Sequence, residues 1–148
     1  VFNFVIREIP RDLKKTLAES GKKVEELDYI VFHQANNFIN NYIAKKMKLD
    51  VTKIPHTIEK FGNTSSVSVP LTIVSELRGK LEGSKTLMLS AFGVGMTWAS
   101  AVASFVDTKI SEIVEVSEGQ PMDESLRREY TPIEGESEES DTHPNKDE

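Results

Sequence analysis

The chain has 148 residues, a length that suits a single domain. Its 18 Lys and Arg and 24 Asp and Glu give a formal net charge of −6, and 38% of its residues are hydrophobic. No apolar run reaches the roughly 18 residues of a membrane span, so we expect no membrane partner. Cysteine is absent, which excludes disulfides, thiolate metal sites and a cysteine nucleophile within these residues. Since the first residue is Val rather than Met, we expect a fragment or processed form.

Charge is distributed unevenly along the chain. Residues 1–106 hold 14 Lys and Arg against 10 Asp and Glu, a net +4, whereas residues 107–148 hold 4 against 14, a net −10. The end of the acidic part has almost no apolar periodicity, so burial cannot offset its chain entropy. We predict a globular domain over residues 1–117 and an acidic, disordered tail over 118–148. The tail is either a free solubilising extension or a polyanion that folds back on a basic face.

The first predicted element is a helix whose apolar positions recur every three or four residues. Gly21 closes it, and Pro10 kinks it because proline lacks the N–H that would bond to the carbonyl of Ile6. Its core-facing positions are Phe2, Val5, Ile6, Ile9, Leu13 and Leu17. The continuous apolar run Tyr29–Phe32 then predicts a buried parallel strand that ends at His33.

A second helix is predicted just past His33, with Asn36 or Asn37 as its N-cap. Its apolar positions are Ile39, Tyr42, Ile43 and Met47. Residues 51–61 are predicted to be irregular, apart from a short extended piece over residues 56–58.

The remaining predicted elements are one helix and two strands. The helix follows the small residues of 62–66 and ends at Gly83, with a buried stripe of Val67, Leu71, Val74, Leu77 and Leu81. Strands are predicted over residues 86–91 and 96–106, the second Ala-rich and tightly packed, with an edge strand over 110–116. Helices that alternate with buried strands predict an α/β fold with helices packed against the sheet.

Three loops meet the predicted strands where α/β sheets usually place their sites. In the first loop, His33 follows a strand and could donate a hydrogen bond, act as a base, or be a structural histidine. In the second, Asn63 could serve in a site or cap a helix. The third, residues 92–96, has the form of a hairpin turn between two strands.

Taken together, the three loops resemble motifs of the β-ketoacyl-acyl-carrier-protein synthase III family of the thiolase superfamily. The matching segments are HQAN at 33–36, GNTSS at 62–66 followed by VP at 69–70, and FGVGMTW at 92–98. The resemblance covers about residues 2–106. It implies the C-terminal half of a thiolase-like fold, a mixed sheet with helices packed on it, in a cytoplasmic enzyme that starts fatty acid biosynthesis.

The resemblance implies an acyltransferase with a Cys-His-Asn triad. Its cysteine takes an acyl group from acyl-CoA, and malonyl-acyl carrier protein is then decarboxylated and condensed onto it. His33 and Asn63 match the histidine and asparagine, two neutral donors for the enolate, and Gly93, Val94 and Gly95 match the oxyanion glycine loop. The cysteine is expected on an N-terminal half outside this sequence, so we expect this chain alone to be inactive and the complete protein to be a homodimer. No metal and no cofactor is expected, only CoA and carrier-protein thioesters as substrates.

Carrier proteins are acidic, so a basic face should dock them. Lys45, Lys46 and Lys48 lie on the helix after His33, where an ordinary solvated helix face is the equal alternative. Phe38 stands where related enzymes often carry an arginine implicated in carrier binding. Two other functions stay open: an acyl-condensing enzyme of secondary metabolism, and a non-catalytic half-domain binding module. Nucleic acid is not an expected partner, because the lysines are not interleaved with stacking aromatics.

Overall fold

The computed structural model describes residues 2–93 and 95–115. The helices are α1 (Phe2–Ser20), α2 (Asn37–Met47), α3 (Ile58–Phe61) and α4 (Ser68–Glu76), and the strands are β1 (Tyr29–Phe32), β2 (Ser84–Gly93) and β3 (Thr97–Val106). Short 3₁₀ turns lie at Val24–Glu26, Val51–Lys53 and Ser65–Val67. These elements all belong to the compact unit Val1–Ile113. Within the described ranges, no helix has the length and hydropathy needed to span a membrane.

The three strands form a mixed sheet in the order β1-β2-β3. β1 runs parallel to β2, with Tyr29 opposite Leu87, as the continuous apolar run predicted. β2 and β3 form an antiparallel hairpin in which Phe92 faces Trp98. The end of β1 therefore lies beside the end of β2, which brings the loops after Phe32 and Gly93 to one edge of the sheet.

Helices cover both faces of this sheet because side chains alternate along each strand. Ile30 and Phe32 point to one face and pack with the apolar stripes of α1 and α2. Val31 points to the other face and packs with Leu77 and Leu81 at the end of α4 and beyond it. Each fully buried side chain of this size contributes roughly 1.5–3 kcal/mol to folding.

The sequence predicts the existence of α1 and α2, but two positions expected to face the core, Phe2 and Tyr42, are 37% and 38% exposed and pack edge-on against each other. α1 continues through Pro10, with Val5, Ile9, Leu13 and Leu17 among its buried residues. Asn36 is the N-cap of α2, and its side-chain oxygen accepts a hydrogen bond from the backbone N–H of Ile39 at 2.9 Å. Such a cap satisfies one of the N–H groups that the first turn of a helix leaves unpaired.

The predicted end of the third helix is wrong, and its predicted stripe is fully buried only at Leu77 and Leu81, which lie just beyond the helix. α4 ends at Glu76, and Gly79 with φ +72° makes the turn that Gly83 was expected to make. The fully buried positions within the helix are Ser68 and Thr72, while Val67 is 54% exposed. These two hydroxyl residues can be buried because both are hydrogen-bonded there.

The extended piece predicted over 56–58 is also wrong, because Ile58 begins α3. The Thr57 carbonyl accepts hydrogen bonds from the N–H groups of Lys60 and Phe61, at 3.0 and 2.9 Å. The N–H of Thr57 is taken by the side chain of Gln34 at 3.0 Å. The backbone of Thr57 is thus committed to a helical turn rather than to a strand ladder.

The second strand of the hairpin is not tightly packed as predicted. Its residues are exposed or half-buried along the whole of β3, and they join the two buried clusters only as partly buried neighbours, Val102 and Phe105. The predicted edge strand over 110–116 is absent from residues 110–115, and Val116 lies outside the described residues. The predicted tail, 118–148, also lies outside them, so the division at residue 117 stays a prediction.

Candidate active site

The three motif loops meet at one open pocket of about 610 Å³. His33, Asn63 and Gly93, one residue from each loop, line it. The rest of the wall is formed by hydroxyl side chains of the second loop and by small or apolar residues of β2, β3 and α4: Ser65, Ser66, Ser68, Val69, Ala91, Phe92, Thr97, Trp98 and Ala99. The parallel register of β1 and β2 accounts for two of these loops, and the start of α4 brings the third.

His33 is held at the end of β1 by contacts on several sides. Its backbone N–H donates to the Ser90 carbonyl at 2.8 Å, which continues the ladder between β1 and β2. Its own carbonyl accepts from the side-chain Nδ2 of Asn40 at 3.1 Å. The ring packs edge-on against Phe92, with centroids 5.1 Å apart and an interplanar angle of 89°. The side chain is only 8% exposed, so its orientation is well defined.

The surroundings of His33 favour its neutral imidazole. Burial lowers its pKa below the usual 6.5, and a hydrogen bond with the Ser65 backbone opposes this shift only in part. Its Nδ1 lies 2.6 Å from the hydroxyl oxygen of Ser68. A neutral imidazole carries one N–H donor and one acceptor nitrogen, so it can donate to a ligand without being a strong acid.

A buried polar network joins the His33 loop to α4. The fully buried Gln34 donates from Nε2 to the Phe32 carbonyl at 2.9 Å and accepts from the Thr57 N–H at 3.0 Å. The hydroxyls of Thr57 and Thr72 pair at 2.8 Å, and Thr72 also donates to the Ser68 carbonyl at 2.7 Å. Because every one of these hydrogen bonds is buried, the network holds the His33 loop against α4.

Asn63 is exposed at the wall of the pocket, and its amide is oriented by its own loop. The side-chain oxygen accepts a hydrogen bond from the Ser65 N–H at 2.9 Å. Gly62 and Ser65 both adopt positive φ, +66° and +55°, which gives the loop its tight path. The acceptor end of the amide is thereby used, and its Nδ2 is the donor left for a ligand in the pocket.

The glycine loop closes the pocket on the side of the hairpin. Gly93 ends β2 opposite Thr97, and Gly95 has φ +87° in the exposed turn that follows. Val94 lies outside the described residues, so its place in the oxyanion glycine loop stays a prediction. Trp98 packs edge-on against Phe4 with centroids 4.9 Å apart.

With this geometry in place, comparison with known proteins identifies the family. The family described as 3-oxoacyl-[acyl-carrier-protein (ACP)] synthase III C terminal matches residues 17–105 of the chain. The chain belongs to this family. The resemblance predicted from the three motifs is confirmed, and so is the thiolase-like α/β fold class.

Individual relatives of the synthase III family agree with this assignment. The chain is 39% identical over 107 residues to the β-ketoacyl-[acyl-carrier-protein] synthase III of Streptococcus gordonii, which covers 70% of this chain and 33% of the relative. A crystal structure of a 3-oxoacyl-(acyl-carrier protein) synthase from Burkholderia xenovorans LB400 matches with 37% identity and a TM-score of 0.76, over 78% of this chain and 34% of that one. The priming β-ketosynthase of the R1128 polyketide pathway matches with 26% identity and a TM-score of 0.67, over 72% and 34%. The chain thus spans about a third of the length of these synthases.

The three lysines predicted to dock a carrier protein lie at the end of α2 and are exposed. Lys45 and Lys46 are in its last turn, and Lys48 caps it with φ +55°. Lys46 is not free, since its Nζ donates to the Ile6 carbonyl at 2.8 Å. Phe38 is 68% exposed, and its ring lies 5.6 Å from that of Phe2. Lys46 therefore ties α2 to α1, whereas Lys45 and Lys48 present their charges to solvent.

The sequence patterns did not predict the buried side chains that support His33. Ser68 contacts the ring of His33, Gln34 follows His33 in the chain, and both are fully buried. Neither was predicted as a site residue. One signal was present, because Ser68 and Thr72 are four residues apart and so share one face of a helix. The predicted apolar stripe instead assigned the face of Val67, Leu71 and Val74 to the core.

Proposed function

We propose that this chain supplies the His and Asn of a Cys-His-Asn triad in a 3-oxoacyl-acyl-carrier-protein synthase III. The complete enzyme would condense acyl-CoA with malonyl-acyl carrier protein in fatty acid biosynthesis. The observation that carries this proposal is that His33 and Asn63, which lie 30 positions apart, line the same pocket. Membership of the synthase III family supports the reaction class.

In the proposed reaction, His33 and Asn63 both act as hydrogen-bond donors during decarboxylation. When malonyl-carrier protein loses CO₂, the electrons of the broken carbon–carbon bond form an enolate, and negative charge develops on the thioester oxygen. The N–H of His33 and the Nδ2 of Asn63 are neutral donors that can stabilise this charge. The enolate carbon then attacks the carbonyl of the acyl-cysteine, a new carbon–carbon bond forms and the cysteine thiolate leaves.

Neutral donors suit this step better than charged ones. A protonated histidine would be acidic enough to quench the enolate by giving up a proton. Burial keeps the pKa of His33 below its usual 6.5, which favours the neutral ring at the pH of the cytoplasm, where we place the enzyme. Asn63 has no ionisable group, so its donor does not vary with pH.

The partners of this site are also proposals. The chain contains no cysteine, so the nucleophile comes from a segment outside these 148 residues. We propose that an N-terminal half carries that cysteine and that the complete enzyme is a homodimer. Its substrates are thioesters of CoA and of carrier protein, and it uses no cofactor. Lys45 and Lys48, both exposed, are the candidates for docking the acidic carrier.

A hybrid enzyme tests the proposal directly. In it, the matching segment of this chain replaces the corresponding third of the Streptococcus gordonii synthase, which supplies the rest of the protein. We expect the folded hybrid to be acylated by acyl-CoA and to condense malonyl-carrier protein. A hybrid that is acylated but neither decarboxylates nor condenses would contradict the proposal and would favour a non-catalytic binding module.

A second candidate function is starter condensation in secondary metabolism. The similarity to the R1128 priming ketosynthase supports it. The two candidates differ in the carrier protein they accept, so the hybrid should be offered malonyl groups on both a fatty acid carrier and a polyketide carrier. Faster condensation with the fatty acid carrier supports the first function, and faster condensation with the polyketide carrier supports the second.

A further inference from the structure

We infer that the hydroxyl of Ser68 sets the tautomer of His33, donating to Nδ1 so that the single imidazole proton resides on Nε2. The two atoms lie 2.6 Å apart, a short distance for an O–H···N contact. Ser68 is 1% exposed, so water does not compete for its hydroxyl. Ser68 is thus a positioning residue, which acts on a ligand only through His33.

The direction of this hydrogen bond follows from the second partner of Ser68. The backbone N–H of Gln34 donates to the same hydroxyl oxygen at 3.3 Å, which uses one of its lone pairs. The hydroxyl proton still needs an acceptor, and Gln34 N–H is a donor only. Among the hydrogen bonds of residues 2–93 and 95–115, Nδ1 of His33 is the acceptor that this hydroxyl reaches.

The opposite tautomer would leave a buried group unsatisfied. With the proton on Nδ1, Ser68 would receive two N–H donors and its own proton would have no partner in the described part of the chain. A buried donor without an acceptor loses its hydrogen bond to water and gains none in the protein. The folded state would therefore be destabilised by the desolvation free energy of that donor, which disfavours this tautomer. The neutral ring with its proton on Nε2 satisfies all three groups.

The position of Ser68 is itself fixed. It lies in the first turn of α4, and its carbonyl accepts from the Thr72 hydroxyl at 2.7 Å. Thr72 in turn pairs with Thr57, whose N–H is bound by the side chain of Gln34. Ser68, which orients His33, and Gln34, the next residue after His33, therefore belong to the same buried network.

This inference deepens the proposed function and rests on it for its catalytic meaning. The Nε2 nitrogen, which Ser68 does not engage, becomes the one hydrogen-bond donor of a ring that lines the same pocket as Asn63, and a ligand oxygen there would take the place of the Ser65 backbone as its acceptor. Both groups then offer an N–H where an enolate oxygen would lie. Without Ser68, part of the His33 population would present an acceptor lone pair there and repel the same oxygen.

Nitrogen NMR of the histidine rings in the full chain tests the inference without any activity. Long-range ¹H–¹⁵N spectra of the labelled chain, recorded above the histidine pKa, show which nitrogen carries the proton. His33 is assigned by loss of its signals in a His33→Gln variant. We expect Nε2 to be protonated in the unmodified chain, and protonation mainly on Nδ1 would overturn the inference. This result is independent of whether the hybrid enzyme condenses substrates.

Variants of Ser68 provide the second arm. In Ser68→Ala, the ratio of the Nε2–H to the Nδ1–H form should fall about fivefold, the factor that one ordinary hydrogen bond contributes. Ser68→Thr keeps the hydroxyl and should keep the parent ratio. Ser75→Ala removes a hydroxyl from the same helix that bonds to Glu76 instead, and serves as the control. A change of less than twofold in Ser68→Ala would also overturn the inference, and if that variant does not fold, the spectrum of the unmodified chain decides.

Discussion

Replacing His33 by alanine in the hybrid enzyme separates the two half-reactions of the proposed mechanism. His33 and Asn63 are assigned to the oxygen of the malonyl thioester, where charge develops during loss of CO₂. In the proposed mechanism, acyl transfer to the cysteine is assigned to a different oxyanion hole, formed by backbone N–H groups of the cysteine and the glycine loop. We therefore expect His33→Ala to slow decarboxylation far more than cysteine acylation.

The size of the effect follows from what the structure places around the ring. Removing one donor from an oxyanion site costs about 2.7–4 kcal/mol in the transition state, or roughly a hundredfold to a thousandfold in rate. The same change removes the 2.6 Å contact to Ser68 and the edge-on contact to Phe92. Because the buried Ser68 hydroxyl loses its acceptor, the free energy of unfolding should fall by about 1–3 kcal/mol, a fraction of the roughly 5–15 kcal/mol of a typical domain. The variant should therefore fold, and its defect should be kinetic.

The assay measures each step on the same preparation. Release of labelled CO₂ from malonyl-carrier protein reports decarboxylation, and intact-protein mass spectrometry reports acylation from acyl-CoA. His56→Ala is the matched control. His56 is half-buried and does not line the pocket of His33. His33→Gln, which keeps a neutral N–H donor, should lose less decarboxylation activity than His33→Ala.

Two results would refute the role assigned to His33. In the first, decarboxylation by His33→Ala stays within a few-fold of the parent hybrid. In the second, acylation and decarboxylation fall by equal factors, which would indicate that His33 acts as a base toward the cysteine rather than as a donor toward the enolate. Asn63→Ala should give the same pattern as His33→Ala, since both donors are assigned to one oxygen.

Three further predictions concern the chain and its surface. Incubated alone with acyl-CoA, the chain should gain no acyl mass, because it has no cysteine; a covalent adduct in intact-protein mass spectrometry would contradict this. Reversing the charges of Lys45 and Lys48 in the hybrid should slow carrier association and flatten its salt dependence while sparing turnover of a malonyl-CoA surrogate; equal losses on both substrates would indicate a folding defect. Burial lowers the pKa of both His33 and His56, although the charge of Glu59 partly opposes the shift at His56. Below about pH 6.5 the unfolded chain therefore binds more protons than the folded chain, and stability toward urea should fall from pH 7 toward pH 5. Replacing both by Ala should flatten that fall, and an unchanged slope would exclude the two imidazoles as its cause.

Elements with a local cause could be predicted from the sequence. β1 is a short apolar run that is buried on both faces, and α2 begins at a side chain that caps its own first turn. The three motifs were also found from sequence, because residue type and spacing carry the resemblance without any knowledge of the sheet. The sequence therefore predicts His33 and Asn63 as site residues, and both line one pocket.

Elements decided by distant partners could not be predicted in this way. The backbone around Thr57 turns into α3 because Gln34, 23 residues earlier, takes its N–H. The burial of β3 depends on how far other elements cover its two faces, and its Ala-rich sequence is equally compatible with a tightly packed strand. In both cases the local pattern permits two structures and a contact between distant residues selects one.

The buried polar face of α4 shows why the supporting residues are harder to find than the site itself. Hydrophobic periodicity assigns a helix face to the core by its apolar residues, and it scores Ser68 and Thr72 as surface positions. Both are buried because each hydroxyl has a partner on another element: Ser68 with His33 on β1's end, and Thr72 with Thr57. A polar residue can be buried only where such partners exist, so its burial is a property of the pair rather than of the helix. Polar residues four apart, next to a candidate site loop, are therefore better interpreted as a face that holds the site than as a face exposed to water.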